Sequence, residues 1–138
     1  MAFHPYLMFG GNCREALTRY QAIFGGELTL LTMADMPGDD PVPPEQADQI
    51  MHGALTIGDD LLMASDDPTG GFQGPRDMQV TYSTPEVDEA QRVFDALAEG
   101  GQVTMAAAAT FFSPLFGMCV DRFGIPWTVD AEGEVPSG

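Results

Sequence analysis

The sequence predicts an α+β fold: two βαβββ modules forming a curved eight-stranded mixed sheet around a cleft, with the helices outside. Three observations lead there. A helix, two glycines and a strand are written twice, as EALTRYQAIFGGELTL at 15–30 and EAQRVFDALAEGGQVTM at 89–105. Each copy is followed by two apolar runs around a glycine turn, the pattern of a β-hairpin. Each is preceded by a short strand, Tyr6 to Phe9 and Met78 to Ser83. Glu15-Ala16 matches Glu89-Ala90, Gly25-Gly26 matches Gly100-Gly101, and Thr29 matches Thr104. One such unit cannot cover both faces of its own small sheet, so the duplication has a physical purpose.

The elements follow in chain order. In the first helix Leu17, Tyr20 and Phe24 recur at i, i+3 and i+7; in the second Ala90, Val93, Phe94 and Leu97 do so at i, i+3, i+4 and i+7. Each helix therefore has one buried face. Asn12 stands three residues before Glu15, the arrangement of an N-cap with a reciprocal carboxylate, and Thr84-Pro85 reads as an N-cap before a first-turn proline. The glycine pairs stop the helices. Extended chain follows, Leu28 to Met33 and Gln102 to Met105. The first hairpin runs from Met51 to Ser65 and turns at Gly58-Asp59-Asp60; the second runs from Phe116 to Val129 and turns at Arg122-Phe123-Gly124. The proline- and acid-rich stretch 35–48 is a loop. The sequence thus divides into one domain, 1–130, made of module one (3–65), a turn-rich linker (66–77) and module two (78–130), with a frayed tail at 131–138.

Composition excludes several functions. Twenty-one acidic residues face five basic ones, giving a formal charge of −16, and all five are arginines. Without lysine there is no Schiff-base chemistry. A surface this acidic repels nucleic acid and anionic lipid, so neither nucleic acid nor a membrane is an expected partner, whereas cations are drawn in. No apolar run spans a bilayer and the N-terminus lacks the pattern of a secretory signal, which makes the cytoplasm the expected location. Cys13 and Cys119 show no metal-ligand spacing and read as reduced thiols. No G-x-S-x-G elbow, P-loop or G-x-G-x-x-G is present.

The residues also carry a family pattern. PYLMFGGNCREAL at 5–17, IMHGALTIGDDLLMASD at 50–66, FDALAEGGQVTM at 94–105 and FGMCVDRFGIPW at 116–127 stand in order at fixed spacing. With them the chain resembles the vicinal oxygen chelate (glyoxalase/bleomycin resistance/dioxygenase) superfamily, and within it the PhnB-like, 3-demethylubiquinone-9 3-methyltransferase-like branch. The resemblance implies metal-ligand positions on the first and fourth strands of each half. These line up as His4, Ala64, Gln79 and Thr128, with Met63 or Ser65 as the alternatives to Ala64 if the register slips. Only His4 is a good ligand, and the carboxylates that neutralise a hard cation are replaced. No resident metal or cofactor is therefore expected. The branch's P-L-x-E/D-T-F-W signature is also altered, its acid being Ala109 and its tryptophan Phe112.

The expected ligand-binding residues are His4, Tyr6, His52, Gln79, Phe112, Trp127 and Thr128; no catalytic residue is assigned. Tyr6 and Met8 share a strand face with His4, and Gln79, Thr81 and Ser83 share the matching one. His52 either moves protons at the cleft or hydrogen-bonds within the sheet. Phe111, Phe112 and Trp127 fit a core as readily as a pocket wall. The leading functional expectation is a small-molecule binder of the bleomycin-resistance kind, without a metal and assembled as a homodimer. The alternatives are a divalent-metal lyase, isomerase or dioxygenase using His4, and a non-catalytic protein-interaction module. A methyltransferase would need a site for its methyl donor, and the sequence offers none.

Overall fold

The structure, a computed structural model, describes residues 3–35, 46–67 and 78–132. The chain divides into two compact units, Met1–Gly74 and Pro75–Gly138. Each holds one copy of the repeat and its own four-stranded mixed sheet, so the eight strands divide four and four.

Module one contains β1 (Tyr6–Phe9), α1 (Cys13–Phe24), β2 (Glu27–Thr32), a single 3₁₀ turn (Met33–Asp35), β3 (Ile50–Ile57) and β4 (Asp60–Asp66). Its strand order is β1-β4-β3-β2, with β1 parallel to β4 and the other pairs antiparallel. Module two repeats this with β5 (Val80–Thr84), α2 (Val87–Ala98), β6 (Gln102–Ala108), β7 (Leu115–Val120) and β8 (Pro126–Ala131), ordered β5-β8-β7-β6. The helical connection between each first pair of strands is what makes the parallel pair possible. Among the described residues no helix is long and apolar enough to cross a membrane.

One face of each sheet packs on the module's own helix. In α2 the buried residues are Ala90, Val93, Phe94 and Leu97, as the periodicity predicts. In α1 they are Cys13, Ala16, Leu17, Tyr20 and Ile23; Phe24 is only half-buried, because the apolar stripe ends one residue earlier than the i, i+7 spacing suggests. A glycine lets each helix approach its sheet. A Cβ on Gly53 would lie 2.5 Å from Leu17 Cδ1, and one on Gly117 would lie 2.8 Å from Phe94 Cε2.

The helix starts depart from expectation. Asn12 makes no side-chain cap. Instead Asp66, at the end of β4, reaches across the sheet: its Oδ1 accepts the N–H groups of Gly11 (3.0 Å) and Cys13 (2.9 Å), and its Oδ2 accepts that of Ile50 (2.9 Å). A full negative charge at a helix start satisfies orphan donors and meets the positive end of the dipole, which a local asparagine does less well. The second helix begins two residues beyond Pro85, while Thr84 Oγ1 accepts the N–H of Glu86 at 3.3 Å. At the far end β8 continues to Ala131, which is 1% exposed and pairs with both Leu115 and Thr84, so the tail begins later than the sequence suggests. Residues 36–45, 68–77 and 133–138, which include most of the expected loop, linker and tail, lie outside the described residues.

Both cysteines are core side chains. Burial, with Asp66 nearby, pushes the Cys13 thiol from 9.0 up to about 12; burial, with Asp121 nearby, pushes Cys119 up to about 11. A raised acid pKa stabilises the fold only while both states keep the proton, so this contribution is present below pH 9 and is lost as the unfolded chain ionises above it. Native protein at pH 8 is expected to leave both thiols unreacted with a disulfide dye over hours, whereas protein in denaturant releases two equivalents at once. Fast native-state reaction would contradict the burial.

Candidate functional site

Strand pairing fixes which side chains turn away from the helices. In module one the register places Gly53 opposite Ala64 and Leu7 beside Ala64, so Ala64 lies on the helix side and is fully buried. The other face carries Tyr6 beside Met63, Met8 beside Ser65, Ala54 opposite Met63 and His52 opposite Leu31. The fourth-strand position assigned to Ala64 is therefore corrected to its neighbours: Met63 and Ser65 point to the helix-free face. Ser65 donates its hydroxyl proton to Met8 Sδ at 3.4 Å. The Tyr6 and His52 rings stand 6.1 Å apart, tilted by 36°. His52 makes no side-chain hydrogen bond among the described residues. His4 is exposed, two residues ahead of β1.

In module two Gly117 faces the helix, so the opposite face carries Phe116, Met118, Thr128 and Asp130, with Thr81 beside Thr128 and Ser83 beside Asp130. Gln79 is exposed just before β5. Thr128 is 3% exposed, and its Oγ1 is buried without a hydrogen-bond partner. Phe112 is exposed and stacks edge-on against Phe116, with centroids 5.0 Å apart.

Trp127 does not belong to this face. It pairs with Cys119 on the helix side, is 3% exposed, and donates its indole N–H to Asp121 Oδ2 at 2.9 Å. Asp121 Oδ1 also accepts the N–H groups of Phe123 and Ile125, closing the β7–β8 turn. The period-two alternation that puts Thr128 on the helix-free face necessarily puts Trp127 on the other. As the single tryptophan, it is expected to emit at short wavelength and to resist acrylamide quenching. Emission near that of free tryptophan, or quenching to the same extent as in denaturant, would put it back at the surface.

Sequence reasoning missed Asp130. It is the only acidic residue in strands β5, β6, β7 and β8, and standing two residues after Thr128 it shares that residue's face by strand alternation. Among the described residues there is no grouping of three or more His, Cys, Asp or Glu side chains able to hold a metal ion. The helix-free faces offer imidazole, thioether, phenol and hydroxyl groups with two carboxylates, Glu27 on the edge strand of module one and Asp130 in module two: a wall suited to contact and hydrogen bonding, poorly matched to a hard divalent cation.

A model of the 3-demethylubiquinone-9 3-methyltransferase family matches residues 1–130. Protein YjdN of Escherichia coli (strain K12) is 30% identical over 146 residues, covering 99% of both chains. The crystal structure of protein PA1353 from Pseudomonas aeruginosa is 41% identical, covers 97% of this chain and 99% of its own, and superposes with a TM-score of 0.86. A glyoxylase/bleomycin resistance protein/dioxygenase domain from Frankia sp. EAN1pec, 15% identical with coverage of 96% and 98%, shares the fold at a TM-score of 0.64.

Proposed function

Because the chain belongs to the family described by the 3-demethylubiquinone-9 3-methyltransferase model, with the fold of the glyoxalase/bleomycin resistance/dioxygenase superfamily, we propose that it binds a small organic molecule on the helix-free faces of its modules and holds no resident metal there. One observation carries the reading: the Thr128 hydroxyl is buried on that face with no partner. A buried unsatisfied hydroxyl costs about 1–3 kcal/mol, and such groups persist where a ligand or ordered water completes them. The neighbouring Thr81 and Met118 supply a second hydroxyl and a polarisable contact.

The metal-free part of the reading rests on donor chemistry. With Met63 in place of Ala64, the family's ligand positions hold His4, Met63, Gln79 and Thr128, and only the histidine suits a catalytic divalent ion. The family name does not supply a reaction either, since the sequence carries no glycine-rich loop for a nucleotide-bearing methyl donor.

Thr128→Val separates ligand binding from architecture. Valine keeps the shape and removes the orphan hydroxyl, so the variant is expected to be more stable than the parent by about 1 kcal/mol in denaturant titration, yet to bind hits from a small-molecule screen about five-fold more weakly. A variant that is less stable, with binding unchanged, would show that the hydroxyl serves the fold. Stoichiometric Zn, Ni or Mn retained by purified protein after metal incubation, and lost in His4→Ala, would overturn the metal-free reading.

A further inference from the structure

We infer that one corner of module two, formed by Asp130, Phe116 and Phe112, recognises a protonated or quaternary amine; this rests on the small-molecule reading above and names the chemical class it takes. Asp130 lies directly across from Phe116 and beside Ser83 on the helix-free face, half-buried. Its Oδ1 accepts the Ser113 hydroxyl proton at 2.5 Å. Ser113 is itself 1% exposed and fixed in place, since its Oγ accepts the Leu115 N–H at 3.2 Å and lies 2.8 Å from the Ala131 carbonyl. The carboxylate is thus oriented through one oxygen, and among the described residues no arginine pairs with it.

The aromatic half of the corner is equally ordered. Thr110 Oγ1 accepts the N–H groups of Phe112 and Ser113, and the Thr110 N–H donates to the Ser113 carbonyl at 2.8 Å, which closes a turn that presents Phe112. The Phe112 and Phe116 rings meet at 77°, and Phe111 meets Phe112 at 84°. Edge-on packing leaves the electron-rich face of at least one ring open, and Phe112 keeps 52% of its surface exposed. A ring face beside a fixed carboxylate is the chemistry that selects an organic cation: the ring contributes cation–π attraction and the carboxylate the counter-charge. A neutral aromatic gains only the first surface and an anion is repelled. The chain's −16 charge raises the local concentration of such cations before contact.

The test is a titration of the folded full chain with benzyltrimethylammonium, followed by backbone amide NMR shifts in about 0.15 M salt so that long-range attraction is screened. Saturable shifts are expected at Phe112, Ser113, Phe116 and Asp130. Binding is expected to be about five-fold tighter than that of benzyl alcohol, and to weaken about five-fold in Asp130→Asn and about three-fold in Phe112→Ala, with Asp88→Asn on α2 unchanged. Asparagine still accepts the Ser113 proton, and Phe112 is exposed, so at least one variant retains the fold. Equal affinity for the amine and benzyl alcohol, or Asp130→Asn and Asp88→Asn behaving alike, overturns the inference. If neutral or anionic compounds shift amides of the helix-free faces while the amine does not, the amine class falls and the small-molecule reading stands. If no compound of any charge shifts them, both fall.

Discussion

Replacing Asp66 with alanine is expected to destabilise the protein by about 4 kcal/mol, the largest loss from any single side-chain truncation outside the apolar core. The carboxylate is 2% exposed and accepts three backbone N–H groups from three separate segments: Gly11 in the β1–α1 connection, Cys13 in the first turn of α1, and Ile50 at the start of β3. Truncation strands those donors where water cannot freely replace the acceptor, at about 1–3 kcal/mol each. Release of a buried charge offsets part of that sum. Asp66→Asn keeps one acceptor oxygen but turns an NH₂ toward backbone N–H, so it is expected to recover less than half the loss. Guanidinium titration measures both, and the idea fails if Asp66→Ala lies within 1 kcal/mol of the parent. Amide exchange should accelerate first at Gly11, Cys13 and Ile50, because the loss is local before it is global.

This interaction also marks the boundary of what the sequence reveals. Period and repeat are local signals, and they located both helices, all eight strands and the buried face of α2 with errors of up to three residues at the ends, the largest in β6, which runs to Ala108 instead of Met105. Asp66 caps a helix 53 residues away in sequence, and no local pattern encodes that; Asn12, adjacent to the helix and chemically suited, is the better guess from sequence alone. The site shows the same division. Tyr6 was placed by strand alternation, His52 and Thr128 by the family pattern, and all three lie on helix-free faces. Ala64 was misassigned by one residue, and in a strand one residue is the whole difference between the helix face and the free face. Trp127 was drawn into the site by its aromatic character, although strand alternation puts it on the opposite face from Thr128. Asp130 was overlooked because the search followed the family's ligand positions and stopped two residues short.

The helix-free faces share a further logic. Tyr6, Met8 and Met63 in module one occupy the places that Thr81, Ser83 and Thr128 hold in module two, since each set pairs in the same way with the parallel neighbour. Duplication has thus kept the backbone and diverged the wall: at these places one copy carries a phenol and two thioethers, the other three hydroxyls.

The backbone that duplication preserved makes the second prediction. Alanine at Gly26 or Gly101 is expected to cost about 4 kcal/mol or more, while alanine at the adjacent Gly25 costs about 2 kcal/mol. The two glycines of each pair do different work. Gly25 has φ +78° and ψ −160°, a backbone region essentially confined to glycine, with open space where a Cβ would be, so its substitution carries backbone strain without a clash. A Cβ on Gly26 would lie 2.3 Å from the Thr56 carbonyl oxygen, and one on Gly101 would lie 2.1 Å from that of Val120. Both obstacles are strand backbone, β3 in one module and β7 in the other, and cannot step aside like a side-chain tip. The chain leaving each helix must press against the turn end of its hairpin's first strand to begin its own strand, and only a residue without a side chain passes. Urea titration of Gly25→Ala, Gly26→Ala and Gly101→Ala should therefore give one smaller and two larger losses. Three similar values would mean that helix termination alone explains the glycine pairs, and that close backbone contact did not shape the repeat.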